Sequence, residues 1–152
     1  MTTDQPNTTI HATAVLCGAR AVLIRGPAGA GKSRLAMALI DAAATGLIRF
    51  ARLIGDDRVH IEPVHGRLLV RSPAALSGLV EVRLIGIRRV ACEPVAVVGL
   101  VVDLAAGDAE RLPSPPQTVA TLAGITVPRI AVGAGRDPFP SVIAALRTPE
   151  GG

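Results

Sequence analysis

Aromatic side chains are almost missing from this sequence: two phenylalanines and no tyrosine or tryptophan in 152 residues. Their scarcity argues against a protein that stacks successive bases of single-stranded nucleic acid on aromatic faces. The 49% of hydrophobic residues must instead build a core from aliphatic Ala, Val, Leu and Ile. Lysine is scarcer still: Lys32 is the only one, and the remaining positive charge rests on arginine. The two cysteines, Cys17 and Cys92, lie among aliphatic residues without metal-ligand spacing, so both read as small buried hydrophobes. No stretch reaches the roughly 18 consecutive apolar residues of a membrane span, and the polar Met1 to Thr9 lacks the apolar run of a signal peptide. A soluble, cytoplasmic protein with no membrane segment is the expectation. Charge of neither sign dominates. The 16 basic and 12 acidic residues give a net +4, which suits anionic ligands but is too small and scattered for a nucleic-acid-binding face.

The length fits one domain with one core, taken as residues 10–147 between flexible tails at 1–9 and 148–152. Thr13 to Leu16 and Ala21 to Ile24 read as strands around Gly18-Ala19-Arg20. Lys32 to Ala44 has helical spacing, with Leu35, Leu39 and Ile40 on one side and Gly46 as its stop. Leu47 to Ile54 is an apolar run. Arg58 to Ile61 and Arg67 to Arg71 form a hairpin about His65-Gly66, and Leu79 to Val90 is β-rich with an interruption at Gly86. Val95 to Leu104 is continuously aliphatic, the pattern of a strand buried on both faces. Gly107 to Pro116 reads as a loop, Ile125 to Val132 as a late strand and Pro140 to Arg147 as a closing helix. The fold class is α/β, with a mixed, strand-rich sheet and few helices.

Gly26-Pro27-Ala28-Gly29-Ala30-Gly31-Lys32-Ser33 fits the P-loop pattern G-x-x-x-x-G-K-[ST], and it lies where that pattern needs to lie, between a strand and an amphipathic helix. The glycines permit backbone conformations that aim several N–H groups at one anion. The helix N-terminus adds partial positive charge. Lys32 can reach the β- and γ-phosphates of a nucleoside triphosphate, most naturally ATP, and the Ser33 hydroxyl can coordinate Mg²⁺.

Asp56-Asp57 follows an apolar strand and a glycine. Carboxylates at a strand end commonly face the nucleotide crevice of an α/β sheet, and two adjacent acids could divide the work of placing a metal or neighbour and accepting a proton. Gly-Asp-Asp is equally good turn chemistry. Asp103 closes Leu100-Val101-Val102-Asp103, which resembles a metal-holding Walker B strand. His11, His60 and His65 each read as structural or solvated residues on local context alone.

In this order the pieces resemble the catalytic domain of HPr kinase/phosphorylase, over about Ile10 to Leu146. The resemblance is to the compact form, without the additional N-terminal domain of larger members. Ile10-His11-Ala12-Thr13 resembles the segment with the family's active-site histidine, Leu53 to Val59 its hydrophobic-Ala-Asp-Asp segment, and Glu81-Val82-Arg83-Leu84-Ile85-Gly86-Ile87 its signature E-[IV]-R-G-x-G-I. Glu110-Arg111-Leu112 resembles the segment with a catalytic arginine, and Ala131 to Arg136 a loop tied to dephosphorylation. Two departures stand out. Gly55 takes a position where alanine is usual, and Leu84 one where glycine is usual, so a different backbone is expected at Leu84.

The resemblance implies a P-loop kinase domain similar to the nucleotide-binding core of phosphoenolpyruvate carboxykinase, which uses ATP and Mg²⁺ to phosphorylate a serine of HPr. It implies Ser33 and Glu81 as metal ligands, Asp57 as proton acceptor, His11 as the group orienting Asp57 or a phosphate oxygen, and Arg111 as the stabiliser of the transferring group. Asp56, Arg83 and Arg136 complete the site. Because Arg136 stands beside Asp137, weak reverse phosphorolysis is expected. Family members are hexamers, which makes a homo-oligomer the implied assembly. Two other classes stay open from the residues alone: a small-molecule P-loop kinase or NTPase with Asp103 on the metal, and a non-catalytic nucleotide-sensing module.

Overall fold

Alternation along two neighbouring strands divides the interior into two cores. Ala12, Ala14, Ala21 and Leu23 face one side of the sheet, and Val15, Val22 and Ile24 the other. A computed structural model describes residues 8–148. It contains β1 (Thr8–Ile10), β2 (Ala12–Cys17), β3 (Arg20–Arg25), α1 (Lys32–Ala44), β4 (Ala51–Gly55), β5 (Val59–Val64) and β6 (Arg67–Arg71). β7 (Leu79–Val82), β8 (Gly86–Arg89), β9 (Val95–Asp103), β10 (Val119–Leu122), β11 (Ile125–Ala131) and α2 (Phe139–Arg147) follow.

The main sheet runs β1-β5-β6-β9-β3-β2-β4, with β11 also on β9 and β10 on β11; β7 and β8 form a separate hairpin. The aliphatic run β9 is its organising strand. Its start pairs antiparallel with β6, Val95 opposite Arg71. Its end pairs parallel with both β3 and β11, Asp103 standing opposite Arg25 and Ala131. The C-terminal ends of three parallel strands therefore meet at one edge of the molecule, the place where loops of an α/β sheet bind ligands.

One core joins β2, β3 and β9 to residues of β5, β6, β10 and β11. The other joins them to Leu35, Ala36 and Leu39 of α1, Val142 and Ile143 of α2 and Val80 of β7. Among the described residues, every buried hydrophobic side chain is aliphatic. No described helix is long and apolar enough to cross a membrane.

Three boundaries differ from the sequence reading. Thr8 and Thr9, expected in the N-terminal tail, belong to β1 and pair with Ile61 and His60; the rest of both proposed tails, apart from Thr148, lies outside the described residues. The apolar run from Leu47 becomes a strand only at Ala51, after a turn whose Leu47 N–H donates to Ala42 O of α1. The β-rich stretch breaks at 83–85, and Gly86 opens β8 rather than interrupting the pair.

Candidate active site

Gly26 to Gly31 carry the chain from β3 into α1. Gly26, Gly29 and Gly31 all have positive φ, at 157°, 81° and 104°. At Gly26 close approach adds to the requirement: a Cβ there would lie 3.1 Å from Leu104 Cβ and 3.2 Å from Leu104 O, so the loop rests on the end of β9. Lys32 is buried at 9% exposure. Its ammonium donates to Gly26 O (2.8 Å) and Pro27 O (3.2 Å), carbonyls of its own loop. Carbonyl oxygens carry no net charge, so an anion entering the loop would be the first full counter-charge this ammonium meets.

Asp56 collects the surrounding elements. It is 8% exposed. Ser33 Oγ donates to its Oδ1 at 2.6 Å and Thr13 Oγ1 to the same oxygen at 2.9 Å, while the Glu81 backbone N–H donates to Oδ2 at 3.0 Å. A single carboxylate thus ties the P-loop helix, β2 and the β7–β8 hairpin together. Thr13 Oγ1 in turn accepts the Asp57 N–H at 3.1 Å. Asp57 itself is exposed and held at φ 67°, a left-handed conformation uncommon for a residue with a side chain. The two adjacent acids are therefore split, one buried and engaged, the other free to meet a reactant.

Ser33, Asp56 and Glu81 offer hydroxyl and carboxylate oxygens only. Mg²⁺ is characteristically held by one or two carboxylates together with substrate phosphates and water, and this donor set fits it. Among the described residues no three His, Cys, Asp or Glu side chains are grouped to hold a metal unaided.

Asp103, whose strand suggests a metal-holding acid, is engaged by two arginines. Arg25 grips it with two bonds, Nε to Oδ1 at 2.7 Å and Nη2 to Oδ2 at 2.8 Å, and Arg129 Nε donates to Oδ2 at 2.6 Å. Burial pushes the Asp103 carboxyl up, but the hydrogen bonds and charges of the two arginines outweigh it and hold the group below the usual carboxylate range. A carboxylate committed to two guanidiniums has little left for a cation.

A cleft of about 760 Å³ opens between the P-loop, the first turns of α1 and the segment after β11. Gly29, Arg34 and Leu35 line it on one side, Gly133, Arg136 and Phe139 on the other. Arg136, expected from the sequence to act on phosphate, lines this cleft opposite the P-loop. His11 is exposed at the bend between β1 and β2, two residues before Thr13; Arg83 is exposed in the hairpin turn, and Arg111 is exposed on the β9–β10 connection. Among the described residues no hydrogen bond joins these three to Asp56 or the P-loop.

A family model described as HPr Serine kinase C-terminal domain matches residues 4–143. The chain belongs to that family. It is 39% identical over 82 residues to the HPr kinase/phosphorylase of Clostridium tetani, an alignment covering 54% of this chain and 25% of that protein. The HPr kinase/phosphorylase of Clostridium botulinum is 40% identical over a stretch of the same length and coverage. The chain thus spans about a quarter of the length of these curated relatives. The solved structure of the Hpr(Ser) kinase/phosphatase from Coxiella burnetii is similar over 91% of this chain and 93% of that one, with a TM-score of 0.70 and 28% identity.

Within the HPr kinase domain family, both departures of this chain have a physical account. A Cβ at Gly55 would lie 2.9 Å from Val59 Cγ1 and 3.1 Å from Ser72 Cβ, leaving no room for the usual alanine. At Leu84 the expectation of an altered backbone fails. Leu84 adopts φ 77°, the left-handed turn a glycine would make, with its side chain 97% exposed. Two participants escaped the sequence reading. Thr13 could have been found as the lone hydroxyl in the apolar strand Ala-Thr-Ala-Val-Leu. Arg34 carried no comparable signal, since an arginine in a helix is ordinarily a solvated side chain.

Proposed function

We propose that residues 10–147 form one catalytic domain that transfers the γ-phosphoryl group of ATP to a serine hydroxyl of the phosphocarrier protein HPr. The observation that supports this reading is the Asp56 junction, where the Ser33 hydroxyl, the Glu81 backbone N–H and, through Thr13, the Asp57 backbone N–H meet at one carboxylate. The phosphates sit on the Gly26–Ser33 loop, with Lys32 turning from its loop carbonyls towards them. Ser33 and Glu81 hold Mg²⁺, which when bound neutralises charge on the phosphate oxygens.

Asp57 takes the proton of the attacking serine while its Oγ bonds to the γ-phosphorus and the bond to the bridging oxygen of ADP breaks. His11 orients Asp57 or a phosphate oxygen. Arg111 spreads the charge that develops on the transferring group, a task suited to a planar guanidinium. Commitment of Asp103 to Arg25 and Arg129 disfavours the alternative of a small-molecule kinase with Asp103 on the metal.

The test is incubation of the purified protein with HPr, magnesium and γ-labelled ATP. Label should appear on HPr with the wild-type chain and not with Lys32→Ala, because no second lysine exists to replace it. Transfer by Lys32→Ala at the wild-type rate would refute the P-loop role. With phospho-HPr and inorganic phosphate the reverse reaction should be weaker than the forward one, and Arg136→Ala should weaken it further.

A further inference from the structure

The C-terminal ends of β3, β9 and β11 lead into three different loops: the P-loop, the connection bearing Arg111, and the segment bearing Arg136. One ionic cluster lies at the base of all three. Arg25 and Asp103 are the last residues of β3 and β9, and they pair directly. Arg129 of β11 is 12% exposed and uses every nitrogen of its guanidinium. Nε donates to Asp103 Oδ2 at 2.6 Å, Nη1 to Asp108 Oδ2 at 2.8 Å and to Gln117 O at 3.1 Å, and Nη2 to Asp108 Oδ1 at 3.0 Å.

The cluster continues into the β9–β10 connection. Gln117 Nε2 donates to the backbone oxygen of Asp108 and to Glu110 Oε1, both at 2.8 Å. Gln117 Oε1 accepts the Ser114 N–H at 2.7 Å and its hydroxyl at 3.0 Å. The stretch from Asp108 to Ser114 is therefore wrapped about one amide side chain, with Arg111 exposed near its middle. The only regular element in this exposed connection is a short 3-10 turn at Pro115–Thr118, and exposed connections are ordinarily mobile. Here one shoulder is pinned by Arg129, whose planar fork holds two carboxylates and a carbonyl at once as a point charge could not, and the other by the Gln117 amide, which donates and accepts at the same time.

We propose that Arg129 and Gln117 are positioning residues that set the place of Arg111 and couple it to the P-loop through Asp103 and Arg25. The assignment rests on the role given to Arg111 above. Nucleotide on the P-loop, which begins one residue after Arg25, is then felt at the Arg111 connection through a continuous set of hydrogen bonds. Loss of either positioning residue leaves ATP on its loop but lets Arg111 wander, and misplacement of a group by about 1 Å is enough to cost roughly 10²-fold in rate.

The absence of tryptophan and tyrosine makes the test clean. Leu112, adjacent to Arg111 and 82% exposed, is replaced by Leu112→Trp to give a single indole reporter. ATP with magnesium should shift the indole emission in this parent, and the shift should vanish in Arg129→Lys and in Gln117→Ala built on the same background. With HPr as acceptor, both variants should lose about 10²-fold in kcat while KM for ATP stays within about three-fold. Folding is checked by circular dichroism, and the milder Gln117→Ala carries the test if Arg129→Lys does not fold. An indole response that persists in the folded variants overturns the coupling, as does a parent whose emission ATP leaves unmoved. Variants with a lower melting temperature but an unchanged kcat assign the cluster to stability alone. A parent that responds to ATP but does not phosphorylate HPr refutes the proposed reaction while leaving the coupling standing.

Discussion

Asp56 and Asp57 are neighbours in the chain and opposites in environment, which makes them the sharpest test at the scale of single residues. Asp57 is exposed, and asparagine tolerates its left-handed backbone well. Asp57→Asn should therefore change stability by no more than about 0.5 kcal/mol and keep ATP affinity within a few-fold. Phosphorylation should fall by about 10²–10⁴-fold, the usual range for loss of a general base. Asp56→Asn behaves differently. An amide in that position turns an N–H group towards donors, and a buried donor left unsatisfied costs roughly 1–3 kcal/mol. Chemical denaturation should register that loss together with weakened ATP binding, and normal transfer by Asp57→Asn alongside a dead but fully stable Asp56→Asn would reverse the two roles. The acid pair was visible in the sequence because it follows an apolar run and a glycine. Which acid is buried was not, because the answer depends on Thr13, 43 positions away, and on the Glu81 backbone, 25 positions away in a hairpin separate from the main sheet.

Among the elements, the β7–β8 hairpin stores strain in its turn. Leu84 sits at φ 77° with its side chain almost wholly in solvent. A left-handed conformation costs a residue with a Cβ roughly 1–2 kcal/mol, and no burial offsets that here. Leu84→Gly relieves the strain but frees the unfolded chain by about 0.4–1 kcal/mol, so the net stabilisation should be about 0.5–1 kcal/mol. A higher denaturant midpoint at unchanged slope is the signature; a lower midpoint would mean that Leu84 has a contact worth more than its strain. The longer elements were legible from their periodicity: α1 from Leu35 and Leu39, β9 from its aliphatic run, the β5–β6 hairpin from its flanking turn residues. β1 and β10 were not. Thr8–Ile10 and Val119–Leu122 are too short to show a period, and each is a strand because a partner, β5 or β11, supplies its hydrogen bonds.

At the scale of the whole molecule, the cluster of Arg25, Asp103, Arg129 and Asp108 joins three strands and a connection drawn from distant parts of the chain. The sequence showed Asp103 ending an aliphatic run but could not show its partners, 78 and 26 positions away, and so its resemblance to a metal-holding acid went unopposed. The same cluster sets how the fold responds to acid. For Asp103, burial works against the charged form and the two arginines more than compensate, so its folded pKa lies below the unfolded value of about 3.9. Asp108 shifts the same way, chiefly through its hydrogen bonds from Arg129. A depressed folded pKa means that the unfolded chain binds protons first, so stability rises with pH across the titration. The contribution of Asp103 is fully present above the unfolded pKa and is lost as pH falls through the lower folded one. Asp103→Asn removes the titrating group and should be less stable than wild type at pH 7. The gap between the two proteins should hold steady above about pH 5 and close progressively below about pH 4. Thermal melts of both proteins at intervals from pH 7 to pH 2 measure it. A gap that stays constant down to pH 2 would show that Asp103 titrates alike in the folded and unfolded chains, and that the two arginines hold it by geometry without favouring its charge.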